Sequence, residues 1–134
     1  GNSGAVTLNC TIDTPGEVGL GNLSSSGNAL AGDFTATGDI TAYSDKRLKT
    51  NIETISGALE KVNALRGVTF DKDGKRGLGV IAQEVEKILP EVVLDGEEYK
   101  SVAYGNIVGV LIEAVKEQQK QINELKEKLD GLTK

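Results

Sequence analysis

Toward the end of the chain, apolar side chains recur at alternating steps of three and four: Val108, Leu111, Val115, Ile122, Leu125, Leu129 and Leu132, with Gln118 as the single polar member. Such steps follow the turn of an α-helix and gather the apolar groups into one seam, flanked here by Glu and Lys. The pattern predicts a long coiled-coil helix over about residues 102–132. A seam of this kind needs other helices to cover it. β-Branched residues at its first position with Leu at its second would alone lean toward two strands, so periodicity establishes association without fixing the number of chains.

Upstream, Ile52, Ile55, Leu59, Val62 and Leu65 also recur at helical steps, which predicts an amphipathic helix over 50–65. Gly57 lies inside it at a cost of about 1 kcal/mol relative to Ala, so its start is expected to be irregular. Residues 67–70 and 77–80 read as strands joined by a hairpin turn over 71–75. The Gly77-Leu78-Gly79 step is no phosphate loop, because it lacks the third glycine and the βαβ context. A second short helix is expected over 81–89, with Val85, Ile88 and Leu89 on one face, and Pro90 stops it. Residues 91–94 then read as a strand, Asp95-Gly96 as a turn, and 99–104 as a strand leading into the last helix.

The first 43 residues have a different texture. Val6, Leu8, Cys10 and Ile12 alternate with smaller or polar residues, the period of a strand with one buried face, and Thr14-Pro15-Gly16 marks a turn. Two hexads follow in tandem, Gly-Asp-Phe-Thr-Ala-Thr at 32–37 and Gly-Asp-Ile-Thr-Ala-Tyr at 38–43. A turn-and-strand unit with one apolar side chain cannot bury it alone. It needs neighbours, most simply copies from other chains.

Composition narrows the picture. The chain has 134 residues, only 4% of them aromatic, with no Met or Trp, so there is little bulky material for a self-sufficient core. A net charge of −5 argues against a nucleic-acid partner, and no window has the apolar length to span a membrane. The absence of His removes Ser-His-Asp and Cys-His triads together with the commonest metal ligand. Cys10 is the only cysteine, which leaves no intrachain disulfide or zinc site, and no metal or cofactor is expected. Gly1 in place of Met suggests a fragment.

The best candidate for chemistry is Ser44 with Lys49 five residues later. A lysine amine can serve as general base for a hydroxyl once desolvation brings its pKa from about 10.4 toward neutrality. Residues five apart diverge on a helix and lie too far apart on a strand, so the two meet only if the chain turns between them, or across chains. Taken alone, the pair reads as a capped turn among solvated charges. Glu84 and Glu86 read as a solvated helix face.

Several motifs occur in order: Ser44-Asp45-Lys46-Arg47-Leu48-Lys49, Asn51-Ile52, Ala58-Leu59-Glu60-Lys61-Val62, Gly79-Val80-Ile81-Ala82-Gln83-Glu84-Val85, Pro90-Glu91-Val92-Val93, and Leu111-Ile112-Glu113-Ala114-Val115-Lys116-Glu117-Gln118. Over about residues 40–134 the chain thereby resembles the C-terminal intramolecular chaperone domain of bacteriophage tail spikes and tail fibres, the peptidase S74 family of endosialidase type. The resemblance implies an α+β homotrimer in three parts: a short-stranded, triple β-helix-like stalk remnant (1–43), a small helix and hairpin body, and the coiled coil. The chaperone domain would span 44–134.

The resemblance further implies a chaperone that helps fold the preceding stalk of its own polypeptide and then releases itself. In the family's Ser-Asp-X-Arg-X-Lys pattern a serine and a lysine carry the autoproteolysis. Those roles map onto Ser44 as nucleophile and Lys49 as general base, with the cut expected at Ser44–Asp45, or one bond earlier at Tyr43–Ser44. A virion tail precursor assembled in the host bacterial cytoplasm follows as the setting. The alternative is a non-catalytic coiled-coil trimerisation module of a fibrous adhesin. A third reading, the self-cleaving domain of membrane-bound transcription factors of the myelin regulatory factor type, would need DNA-binding and transmembrane neighbours.

Overall fold

The computed structural model of the chain describes residues 36–96 and 98–133. The strands expected within residues 1–35, Cys10 among them, and most of the first hexad lie outside the described residues. Ala36–Lys134 form one compact unit, an α+β arrangement of small sheets and a long C-terminal helix. In chain order come a 3-10 turn (Lys46–Leu48), α1 (Ala58–Ala64), β1 (Val68–Lys72), β2 (Lys75–Gly79), α2 (Ala82–Val85), β3 (Val93–Asp95), β4 (Lys100–Val102) and α3 (Val108–Leu132). Further 3-10 turns at Pro90–Val92 and Tyr104–Ile107 lead into β3 and α3.

β1 and β2 make an antiparallel hairpin with Lys72 opposite Lys75, which leaves a two-residue turn of Asp73 and Gly74. Both turn residues have positive φ, 51° and 73°. That is what a type I′ turn demands, and Asp-Gly supplies it at low steric cost. Phe70 faces Gly77 across the ladder. A Cβ on Gly77 would come within 3.0 Å of the Phe70 ring, and one on Gly79 within 2.7 Å of the Tyr104 hydroxyl. The Gly-Leu-Gly step therefore makes room for two aromatic groups. β3 and β4 form a second antiparallel hairpin with Val93 opposite Val102.

The helix expected over 50–65 is only half present. Asn51 and Gly57 adopt φ of 50° and 60°, left-handed values that interrupt a right-handed helix, and α1 begins directly after Gly57. Ile55 keeps a packing role without helical geometry, lying 3.5 Å from where a Cβ on Gly109 of α3 would sit. The second expected helix is also short: α2 ends at Val85, a turn follows, and Pro90 opens a 3-10 turn, where its missing N–H costs nothing.

The core consists of small aliphatic side chains: Ala58, Val85, Leu89, Val92, Val110 and Ala114. α1 packs along the first half of α3, with Ala58 and Ala114 letting the two helices approach closely. The α3 helix begins at Val108, six residues after the start expected from periodicity, because 102 closes β4 and Tyr104–Ile107 form the 3-10 turn. At 25 residues it is about 37 Å long. Among the described residues no helix is long and apolar enough to cross a membrane.

Candidate functional site

Ser44 and Lys49 meet. The Lys49 Nζ donates to the Ser44 Oγ at 2.7 Å within one chain. What brings them together is the 3-10 turn of Lys46–Leu48, closed by Leu48 N–H to the Asp45 carbonyl (3.0 Å) and Lys49 N–H to the Lys46 carbonyl (3.1 Å). Asp45 has extended geometry (φ −61°, ψ 136°) and caps the turn, its Oδ1 accepting from the Arg47 N–H at 2.8 Å. The residues between Ser44 and Lys49 thus build the reversal that the spacing requires.

Asp45 is doubly engaged. The Arg47 Nε lies 3.0 Å from Oδ1 and 3.2 Å from Oδ2, and Nη2 lies 2.7 Å from Oδ2. The guanidinium, and then the backbone N–H of the same residue, hold the Asp45 carboxyl below its ordinary range. The same pairing raises Arg47. The backbone N–H groups of Arg47, Leu48 and Lys49 are already committed inside the turn. These three N–H groups are therefore not free to bind a further acceptor.

The whole site is exposed in a single copy of the chain. Apolar side chains flank it without cover: Tyr43 is 93% exposed and Leu48 68%, and Ile40 and Ile52 are also bare. In this arrangement Lys49 Nζ is the donor and Ser44 Oγ the acceptor. General base work needs the reverse bond, Oγ–H to a neutral amine, which removal of water favours.

The other charged groups are structural. Glu84 pairs with Arg66, which holds its carboxyl low, and Lys100 pairs with Asp95 and with Glu86 (2.9 Å), which raises the amine. Glu84 and Glu86 serve different partners and form no carboxylate pair. Glu117 is the residue that sequence reasoning missed. Its Oε1 accepts from the Ala58 N–H at 2.9 Å and Oε2 from the Leu59 N–H at 3.0 Å, so α3 caps α1, whose own Gly57 offers no side chain. The available signal was an acid in line with Val110 and Ala114 on the buried face of α3.

Residues 44–94 match the model of a family described as the chaperone of endosialidase, Peptidase_S74, a match that begins at Ser44 and takes in Lys49. The chain is 39% identical over 101 residues to the long tail fiber protein Gp37 of Enterobacteria phage M1, covering 66% of the chain and 40% of that protein. For Gp37 of Enterobacteria phage K3 the identity is 37% over 98 residues, covering 64% of the chain and 8% of the relative. For Gp37 of Salmonella phage S16 it is 32% over 108 residues, covering 70% and 14%. The chain thus spans 40% or less of the length of each of these relatives.

Proposed function

With residues 44–94 belonging to the chaperone-of-endosialidase family, we propose that this chain is the chaperone end of a phage tail fibre precursor and releases itself by serine–lysine autoproteolysis. The observation that carries the reading is the 2.7 Å contact between Lys49 Nζ and Ser44 Oγ. Relatives named as long tail fibre proteins support the fibre setting, and with it a virion component assembled in the host bacterium. Residues 1–43 would be the end of the stalk on which the chaperone acts.

The chemistry runs as acyl transfer. Lys49 takes the proton from Ser44 Oγ, which attacks a peptide carbonyl, and the proton passes to the departing amide nitrogen as the C–N bond breaks. Water then hydrolyses the ester. Ser44 cannot reach its own carbonyl without a four-membered ring. Within one chain the Tyr43 carbonyl is reachable and Tyr43–Ser44 is cut; cleavage at Ser44–Asp45 takes the hydroxyl of another copy.

Assembly supplies the control. A homotrimer built on the exposed seam of α3 would cover Tyr43 and Leu48, exclude water from Lys49 and free its amine to act as base. Cleavage would then follow completed assembly.

A second reading draws support from the relatives' names, which describe fibre proteins: a non-catalytic clamp that stays attached. One experiment separates the two. Wild type, Ser44→Ala and Lys49→Ala chains are refolded, run on a denaturing gel, and any C-terminal fragment is sequenced from its N-terminus. Self-cleavage predicts fragments from wild type alone, beginning at Ser44 or Asp45. Fragments in all three lanes, or in none, would sink it.

A further inference from the structure

Ser44 has to compete for its lysine. Asp45 lies next to it in sequence, and a carboxylate attracts an ammonium more strongly than a hydroxyl does. A lysine paired to a carboxylate also keeps its proton, which is the wrong state for a base. In the structure the lysine is nevertheless on the hydroxyl. The reason is visible on the other side of the turn, where the Arg47 fork occupies both Asp45 oxygens while its backbone N–H takes a further bond to Oδ1.

We infer that Arg47 is a positioning residue for the dyad: by saturating Asp45 it closes the Lys46–Leu48 turn and keeps the carboxylate away from Lys49, leaving the amine to Ser44. The inference rests on the serine–lysine reading given above. Arg47 touches neither the hydroxyl nor the amine and acts only through Asp45. The turn depends on such local ties, because residues 41–50 are all exposed and no core side chain holds them. A lone 3-10 turn has little stability of its own.

An exposed ion pair contributes little in open water. Its influence grows once the neighbouring apolar side chains are covered and the dielectric falls. The fork therefore matters most in the state in which cleavage would occur. It also gives the three cations distinct places: Arg47 answers the carboxylate, Lys49 serves the hydroxyl, and Lys46 has no role in this scheme.

Two measurements test it. The first is the self-cleavage rate on refolding. Arg47→Gln should slow cleavage on the order of tenfold or more, since small displacements of a reacting group carry losses of that size. Adding Asp45→Asn to Arg47→Gln should recover most of the loss, because the competing charge is gone. A double variant no faster than Arg47→Gln would mean the pair only supports the turn, and would overturn the proposal.

The second measurement needs no peptide cleavage. Ser44→Cys in a Cys10→Ser background reports the amine beside it, because a nearby ammonium favours the thiolate. Alkylation of the uncleaved chain at neutral pH, followed by mass, should slow several-fold on Arg47→Gln. The same Arg47→Gln change should have no effect once Lys49→Gln is present. An equal slowing with and without the lysine would show that Arg47 acts directly through space, against the proposal. Should wild type fail to cleave at all, the proteolytic reading falls while this arm still decides the positioning role.

Discussion

Two faces of α3 make an instructive pair. On one, Val110 and Ala114 are 2% and 4% exposed against α1, and Glu117 reaches across to cap it. Along the same helix the seam is bare, with Val115 63% and Leu129 61% exposed. One face completes a fold within a single chain, and the other offers the same kind of apolar surface to none of the described residues. The body is thus built on one face of α3 while the seam on the other is left bare, as is the Ser44–Lys49 segment.

The contrast can be broken from either side. Ile122→Asp with Leu125→Asp should have the largest effect, reducing the mass measured by light scattering to that of one chain and stopping self-cleavage. The core contains neither residue, so far-ultraviolet circular dichroism should still show the hairpins and α1. An assembly that kept its mass would mean the seam is not the contact surface. Next in size, Glu117→Ala leaves the Ala58 and Leu59 N–H groups without their acceptor and should cost about 1 kcal/mol of body stability in urea unfolding. The mass of the assembly should be little changed. A larger loss of association than of stability would show that the two faces are not separate.

The smallest effect is in pH. The Glu84 carboxyl is held low chiefly by its hydrogen bond to Arg66, so its contribution is present above the unfolded carboxylate range and lost as pH falls through the lowered value. The Lys100 amine is raised, first by Asp95 and then by Glu86, so its contribution is present below the ordinary lysine pKa and lost as pH rises through the raised one. Thermal unfolding should be flat between about pH 5 and 9 and decline modestly outside that window, with salt blunting both limbs. A midpoint that changed steeply inside the window would point to another titrating group.

What the sequence made legible was local. Asp73-Gly74 announced its turn because I′ geometry admits few residues, and the heptad of α3 announced itself by repetition. The apolar spacing of Ile52 and Ile55 misled, since left-handed backbone at Asn51 and Gly57 interrupts the helix on either side of them. Ser44 and Lys49 could be singled out by residue type, but a catalytic role for them was implied only by the family resemblance. Their meeting depended on an Asp cap, a signal present at Asp45 but interpretable only once the turn was known. Glu117 was illegible as a cap because its partner lies 59 positions away.

That separation bears on how the molecule is made. A ribosome delivers Ala58 long before it delivers Glu117, so α1 emerges with its opening amides unanswered and stays provisional until the last helix leaves the exit tunnel. Completion of the body is thereby tied to synthesis of α3, since only Glu117 among the described residues answers the Ala58 and Leu59 amides.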